Sequence, residues 1–467
     1  MTNNKTAPVF FILMLLFESC SIGKKEIPVN SLGDVLTNLA PTPETFEIDP
    51  AEEITLTGTK GTVVYIPVDA FQFADGTTPT SKVSIELKEC YTLSSMIAEN
   101  MSTTSGPHIL ETAGMIYVNA SADGKPLSIK EGKAFVIGFP KANKTDEMDL
   151  FYDVQLGDTI STWVPDHKMY LVDATTSAGG DSIQGDGMEG YTVYPIKITD
   201  DLFDYDFWLR SDASLFDLPL KGQNKTMIKY IEDQKPTADS LARKFYQNRW
   251  SIGFKFNIDK NGKITNLRVD EQYPDYDTYA LGIFKGYFKN APALDLSVDT
   301  IKVDHNRDYT VGIFGTRQVN EERYKKRFRE QYSQYTTQAI QKMDKNALDY
   351  YMFSATKMGW INCDKFWDID EEKKTNFVVK IASPKDAKVQ IVFKDIKSIM
   401  TGAYEDGQVV FRNVPLGKKI KIIGINYSNG KPTMALKETT IDKNGVNLTA
   451  FKEFSIDELE TELNKVN

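Results

Sequence analysis

Histidine and cysteine are scarce in these 467 residues, three of each, and a basic excess is missing altogether. His108, His167 and His305 stand far apart, and none has another His, Cys or Glu at ligand spacing. A zinc site would need at least three ligands gathered from scattered places. No CxxC occurs, which argues against dithiol redox chemistry. Lys and Arg number 55 against 65 Asp and Glu, a formal charge of −10, with no basic tail or Arg/Lys stripe, so nucleic acid is not an expected partner. Gly-x-Ser-x-Gly, a P-loop and a dinucleotide fingerprint are absent. The sequence therefore nominates no catalytic residue, cofactor or metal. Paired carboxylates of the glycosidase kind have no distinguishing spacing here, and a solvated acidic face is the simpler account. After Phe17 no long apolar run follows, so no later segment is expected to cross a bilayer as a helix.

What is present begins at the amino terminus. Lys5 and the free amine precede an apolar run from Pro8 to Phe17, then Glu18, Ser19 and Cys20. Ten apolar residues are too few to span a membrane, which takes about 20, and fit the core of a signal peptide. The cysteine directly after that run resembles the lipobox of bacterial lipoproteins, with Glu18 and Ser19 departing from the usual small residues. The resemblance implies cleavage before Cys20, lipid on its thiol, and a membrane anchor. The competing reading is an ordinary secretory signal followed by a chance cysteine. Cys90 and Cys363 then remain, either as one disulfide or as two separately buried thiols.

The mature chain is long enough for about three domains. Residues 1–19 read as the signal peptide and 20–50 as a lipidated tether, with Pro at 28, 41, 43 and 50 and a short helix around Leu32 to Leu39. Residues 51–200 carry short strand-type runs between Gly-, Asp- and Asn-bearing turns. In KVSIELKE, Val83, Ile85 and Leu87 alternate with Ser84, Glu86 and Lys88, the pattern of a half-buried antiparallel strand, hence a β-sandwich or partly closed barrel. Residues 173–190 read as a Gly/Asp/Ser-rich loop.

Residues 201–315 mix helix and strand. Helices are expected at 237–250, with Leu241, Phe245 and Trp250 on one face, and at 276–288. Between them the Asp-Lys-Asn-Gly turn joins strands that put Phe254, Phe256 and Ile258 on one side. Residues 316–372 read as a connector: a long helix with a Tyr324, Phe328, Tyr332, Tyr335, Ala339, Met343 stripe, then the aromatic-rich segment FSATKMGWINCDKFWDID. Residues 373–452 read as a C-terminal β-sandwich, and 453–467 as a helix capped by Ser455 and Glu458. The expected fold class is thus multidomain and mainly β.

Asp259-Lys-Asn-Gly and Asp442-Lys-Asn-Gly begin like calcium loops, with Asp270 and Glu453 at position twelve. Lys263 and Val446 stand where an oxygen ligand is wanted, so hairpin turns are the stronger reading. Asp158-Thr159-Ile160, Asp181-Ser182-Ile183, Asp239-Ser240-Leu241 and Asp299-Thr300-Ile301 resemble the O-glycosylation acceptor of Bacteroidetes periplasmic proteins, and the Asp181 copy is expected to be the most accessible.

Five segments carry three wider resemblances. Gly61-Thr-Val-Val-Tyr-Ile-Pro67, Leu110-Glu-Thr-Ala-Gly-Met115 and Gly359-Trp-Ile-Asn-Cys-Asp364 resemble a family of Bacteroidetes lipoproteins. Thr59 to Leu87 is similar to the β-sandwich domain of ankyrins and netrin receptors, an interaction module there. Residues 250–294 are similar to the C-terminal domain of TonB, though Asn290-Ala291 replace the usual Trp before the proline. These resemblances imply a non-enzymatic envelope lipoprotein, at the outer membrane, acting through protein or glycan contacts and docking partners at a sheet edge. The alternatives are a solute-binding component of an outer-membrane uptake system, with an aromatic cleft near Trp360, Phe366 and Trp367, and an envelope hydrolase.

Overall fold

The computed structural model describes residues 27–467 except 142–146, 157–159, 168, 172–180, 185–190, 195, 212–216, 235–248, 270–277, 299–301, 344, 371–372 and 382–386. The chain is mainly β, with several sheets and no barrel. It divides into two compact units, one made of residues up to 195 together with 329–467, the other of Ile196–Phe328.

The first unit is a stack of layers. Its wide sheet runs in the order Glu44–Ile48, Val83–Cys90, His108–Ala122, Gly359–Phe366, Asp149–Leu156, Ile160–Pro165, all antiparallel. A narrow sheet faces it, in the order Ile54–Thr57, Val63–Ile66, Phe135–Pro140, Tyr350–Ala355. Val83, Ile85 and Leu87 point into the core between them, against Val64, Ile66, Phe135, Ile137 and Phe139. The alternation read in KVSIELKE is the alternation observed.

The opposite face of the wide sheet meets a second core. Helices Leu32–Leu39, Leu93–Ala98 and Ile456–Asn464 fill it with Val35, Met96, Ile97, Leu459 and Leu463, beside Met115, Phe151 and Trp163 from the wide sheet. The far wall is a seam sheet, in the order Ile399–Thr401, Ala387–Phe393, Lys419–Ser428, Lys431–Thr440, Lys452–Glu453. Its other side packs Ile391, Phe393, Ile420 and Ile422 on the Phe377, Val379 and Phe411 of an outer sheet built from Lys374–Ile381, Ala403–Glu405, Gln408–Pro415 and Val446–Leu448. The capping box expected at Ser455 and Glu458 is formed.

Three sequence expectations are corrected here. The segment assigned to a connector, 350–366, supplies an edge strand of the narrow sheet and a central strand of the wide one. Both faces of Gly359–Phe366 are covered: Ile361 and Cys363 enter one core while Asn362 and Asp364, the polar half of a four-residue alternation, are buried on the other side. Within residues 20–50, assigned to a tether, Leu32–Leu39 is the expected helix but is packed in a core, and Glu44–Ile48 pairs with Val83–Cys90. Trp250 lies in the strand Arg249–Ile258 and does not end a helix. Residues 1–19, Cys20 and the helix expected at 237–248 lie outside the described residues.

The second unit has a four-stranded antiparallel sheet in the order Phe203–Ser211, Tyr309–Val319, Arg249–Ile258, Ile264–Val269. Phe254, Phe256 and Ile258 are fully buried against Met227 and Ile231 of helix Met227–Asp233 and Phe288 of helix Thr278–Asn290. The rings of Phe256 and Phe288 stack at 6.4 Å. A two-stranded ribbon could not bury those rings alone, which is why helices accompany it. The long helix is Glu321–Lys342, and Tyr324, Phe328, Tyr332, Tyr335 and Ala339 are all buried, as a packing stripe requires.

Candidate functional site

Buried polar groups concentrate where the wide sheet meets the seam sheet. Thr103, fully buried, donates its backbone N–H to Ile399 O at 2.8 Å, and its Oγ1 accepts from Ile399 N at 2.9 Å and lies 2.9 Å from Ser398 Oγ. Thr112 N donates to Lys397 O at 2.9 Å, and Lys397 Nζ donates to Ala113 O at 3.0 Å. Gln390 Nε2 donates to Met101 O at 3.0 Å. Ser94 N donates to Asn467 Oδ1 at 2.9 Å, and Asn467 Nδ2 donates to Ser94 Oγ at 3.1 Å. These bonds tie residues about 300 positions apart and join the two sandwiches into one body.

Asp364 sits in this seam and is fully buried. A register irregularity between Cys363 and Asp364 leaves Ala113 without an opposite residue, a bulge that re-aims the side chains around it. Gly114 beside it is required, because a Cβ there would lie 2.3 Å from the Tyr91 ring. Thr112 Oγ1 donates to Asn362 Oδ1 at 2.9 Å, and Asn362 Nδ2 donates to Asp364 Oδ2 at 2.5 Å. Asp364 Oδ1 has no hydrogen-bond partner among the described residues. Burial pushes this carboxyl well above the usual range, with Glu111 adding to the rise while Thr112 and Lys397 oppose it.

A second buried carboxylate is held differently. Glu89 accepts from Lys60 N at 2.7 Å and Thr62 N at 2.8 Å, inside the turn Gly58 to Thr62. Neither arrangement is visible as a motif, since Asp364 and Glu89 each lie in an unremarkable strand and Thr112, Lys397, Lys60 and Thr62 come from other segments.

The candidates read from sequence are dispersed. His167 Nδ1 lies 3.2 Å from Asp166 Oδ1, His305 Nδ1 lies 3.0 Å from Ile258 O, and the His108 ring meets the edge of Phe366 at 5.7 Å. Among the described residues, no group of three or more His, Cys, Asp or Glu is placed to hold a metal ion. Cys90 and Cys363 are both free and buried. They flank the strand His108–Ala122 on either side and point to opposite faces of the sheet. Two strand spacings make about 9.6 Å, beyond the reach of a disulfide. Burial pushes the Cys90 thiol up to about 12 and the Cys363 thiol up as well.

The calcium-like loops are turns. Asp259 Oδ1 accepts from Asn261 N and Lys263 N, each at 2.8 Å, and Asp442 Oδ1 accepts from Asn444 N at 2.9 Å and Gly445 N at 3.0 Å. Each carboxylate is occupied by its own turn. The glycosylation-like Asp181-Ser182-Ile183 falls in a strand, Asp181–Gln184, not in an open loop. Thr159, Ser240 and Thr300 of the other copies lie outside the described residues. Trp360 packs on Tyr117 at 5.4 Å, Phe366 on Phe151 at 5.5 Å and Trp367 on Phe393 at 5.4 Å. Six residues of strand, about 20 Å, separate Trp360 from Phe366, so the three rings line no common cleft.

The second unit's sheet has two edges. Ile264–Val269 is short, and Phe256 faces two residues of it, with Asn266 at φ 48° in the bulge. Arg268 is ion-paired with Asp308. A bulge and a charged side chain are both devices that blunt an edge. Phe203–Ser211 pairs with Tyr309–Val319 through nine residues in unbroken register. No family model, characterised protein or solved structure matches this chain.

Proposed function

We propose that this chain is a cell-envelope lipoprotein of the outer membrane, anchored by lipid on Cys20, that acts by binding protein or glycan and not by catalysis. The observation that carries the reading is the insertion of residues 196–328, a compact unit of their own, between strands of a sandwich that closes only with residues 350–366. Such an insertion leaves the scaffold whole and adds a second surface to it. The Phe203–Ser211 edge, regular and nine residues long, is the one suited to receive a partner strand, because strand addition draws its affinity from main-chain hydrogen bonds.

Two measurements test this. Cys20→Ser should release the protein from the membrane fraction and abolish acyl labelling. Wild type that stays on membranes without any acyl label would remove the anchor. In an affinity capture from envelope membranes, Tyr205→Pro and Asp206→Pro address opposite sides of the edge strand. The substitution at the outward side should abolish capture while the circular dichroism spectrum is unchanged. Capture that survives both would remove docking at this edge.

A further inference from the structure

We infer that the seam is a self-modification site, where the Lys397 amine and the Asn362 carboxamide form an isopeptide bond with the Asp364 carboxyl as proton relay. Thr112, Asn362 and Asp364 are all fully buried. Thr112 Oγ1 donates to Asn362 Oδ1 at 2.9 Å, so a hydroxyl already polarises the carboxamide carbonyl. Asn362 Nδ2 donates to Asp364 Oδ2 at 2.5 Å, so the group that would leave rests on a carboxyl. Lys397 comes from the turn between the strands Ala387–Phe393 and Ile399–Thr401 of the seam sheet. Its backbone O accepts from Thr112 N at 2.9 Å, and its Nζ donates to Ala113 O at 3.0 Å. Ala113 is the bulge residue between Thr112, which is opposite Asp364, and Gly114, which is opposite Cys363. The amine thus stands at the bulge, and its charge acts on Asp364. A lysine stem is flexible, so rotation about its bonds moves Nζ from Ala113 O toward the Asn362 carbonyl carbon.

The chemistry balances with these groups alone. The deprotonated amine attacks the Asn362 Cγ, and the Thr112 hydroxyl stabilises the charge that develops on Oδ1. One proton of Nζ passes to the Asp364 carboxyl, and that carboxyl gives its own proton to Asn362 Nδ2. The bond from Cγ to Nδ2 breaks, ammonia leaves, and an amide between Nζ and Cγ remains. Nothing is oxidised or reduced, and no co-reactant enters. The relay needs a protonated carboxyl, and burial favours that form of Asp364. Asp364 Oδ1, without a hydrogen-bond partner among the described residues, is the oxygen open to the amine's proton. The same burial keeps out water that would compete for the carbonyl. The product ties the wide sheet to the seam sheet through a covalent bond.

The test is a tryptic digest of the full chain, purified in its folded form, read by tandem mass spectrometry. Trypsin does not cut after an acylated lysine. Wild type should therefore yield one branched peptide, Met358–Lys365 joined to Asp395–Arg412, lighter than the sum of its two parts by one ammonia. Lys397→Arg keeps a cation at the bulge and cannot form the amide. Asp364→Asn keeps the size of the side chain and cannot relay the proton. Both variants should give only linear peptides while their circular dichroism spectra match wild type. Linear peptides alone from folded wild type overturn the proposal. A branched peptide that persists in Asp364→Asn overturns the relay, and a branch that has lost water at Asp364 overturns the assignment of Asn362 as acceptor.

Discussion

Replacing Thr103 by Val keeps the shape of a fully buried side chain and removes one oxygen from the seam between the sandwiches. That oxygen accepts from Ile399 N at 2.9 Å, lies 2.9 Å from Ser398 Oγ and donates to Ile399 O at 3.1 Å. Without it the Ile399 N–H and the Ser398 hydroxyl, both fully buried, lose a partner. An unsatisfied buried polar group costs about 1–3 kcal/mol, so two of them make the expected loss roughly 2–6 kcal/mol. That is a large fraction of the 5–15 kcal/mol that holds a typical domain. The assay is urea denaturation followed by far-UV circular dichroism and by tryptophan fluorescence. Trp163 and Trp360 report the helical layer and Trp367 the C-terminal core. The two signals should shift together to lower urea, since a shared seam makes the sandwiches unfold as one. A shift below about 0.5 kcal/mol would refute the claim that the seam couples them.

Asp364→Asn should change the pH profile of stability. A raised folded-state pKa means that the folded chain holds the Asp364 proton more tightly than the unfolded chain. Its contribution is therefore fully present below the ordinary carboxyl pKa of about 3.9, and is lost as pH rises toward the folded value. The variant should gain on wild type through that window, by about 1.4 kcal/mol for each unit of the rise, and parallel melting curves from pH 4 upward would contradict this. Phe256→Asp puts a charge where a fully buried ring stacks on Phe288. It should make residues 196–328 protease-sensitive, whereas Lys260→Ala at the exposed turn leaves the digestion pattern unchanged. Gly58→Ala brings a Cβ to 2.5–2.8 Å from the Glu89 carboxylate, which the N–H groups of Lys60 and Thr62 hold in place. A loss of stability of the order of 1–3 kcal/mol is expected, read as a lower melting midpoint, and an unchanged midpoint would show that Glu89 can swing aside.

Local physics made much of this chain legible. Alternation placed Val83, Ile85 and Leu87 in a core, the Asn-Gly turn set the strands carrying Phe254 and Phe256, and Ser455 with Glu458 marked a helix start. Each of these signals spans a few neighbouring residues and depends on one buried face. The seam and the topology are of another kind. Asp364 is buried beside Asn362 of its own strand, with Thr112 and Lys397 brought near it from two other segments. Gly359–Phe366 lies between strands from residues 108–122 and 149–156 although more than 190 residues intervene. Alternation in Ile361, Asn362, Cys363 and Asp364 does not tell that both faces are buried, and a pairing across an inserted unit leaves no mark in local sequence. The amino acids determined which segments would be strand, helix or turn. Only the tertiary structure decided which strands share a sheet, because that choice rests on burial and hydrogen bonding between residues far apart in the chain.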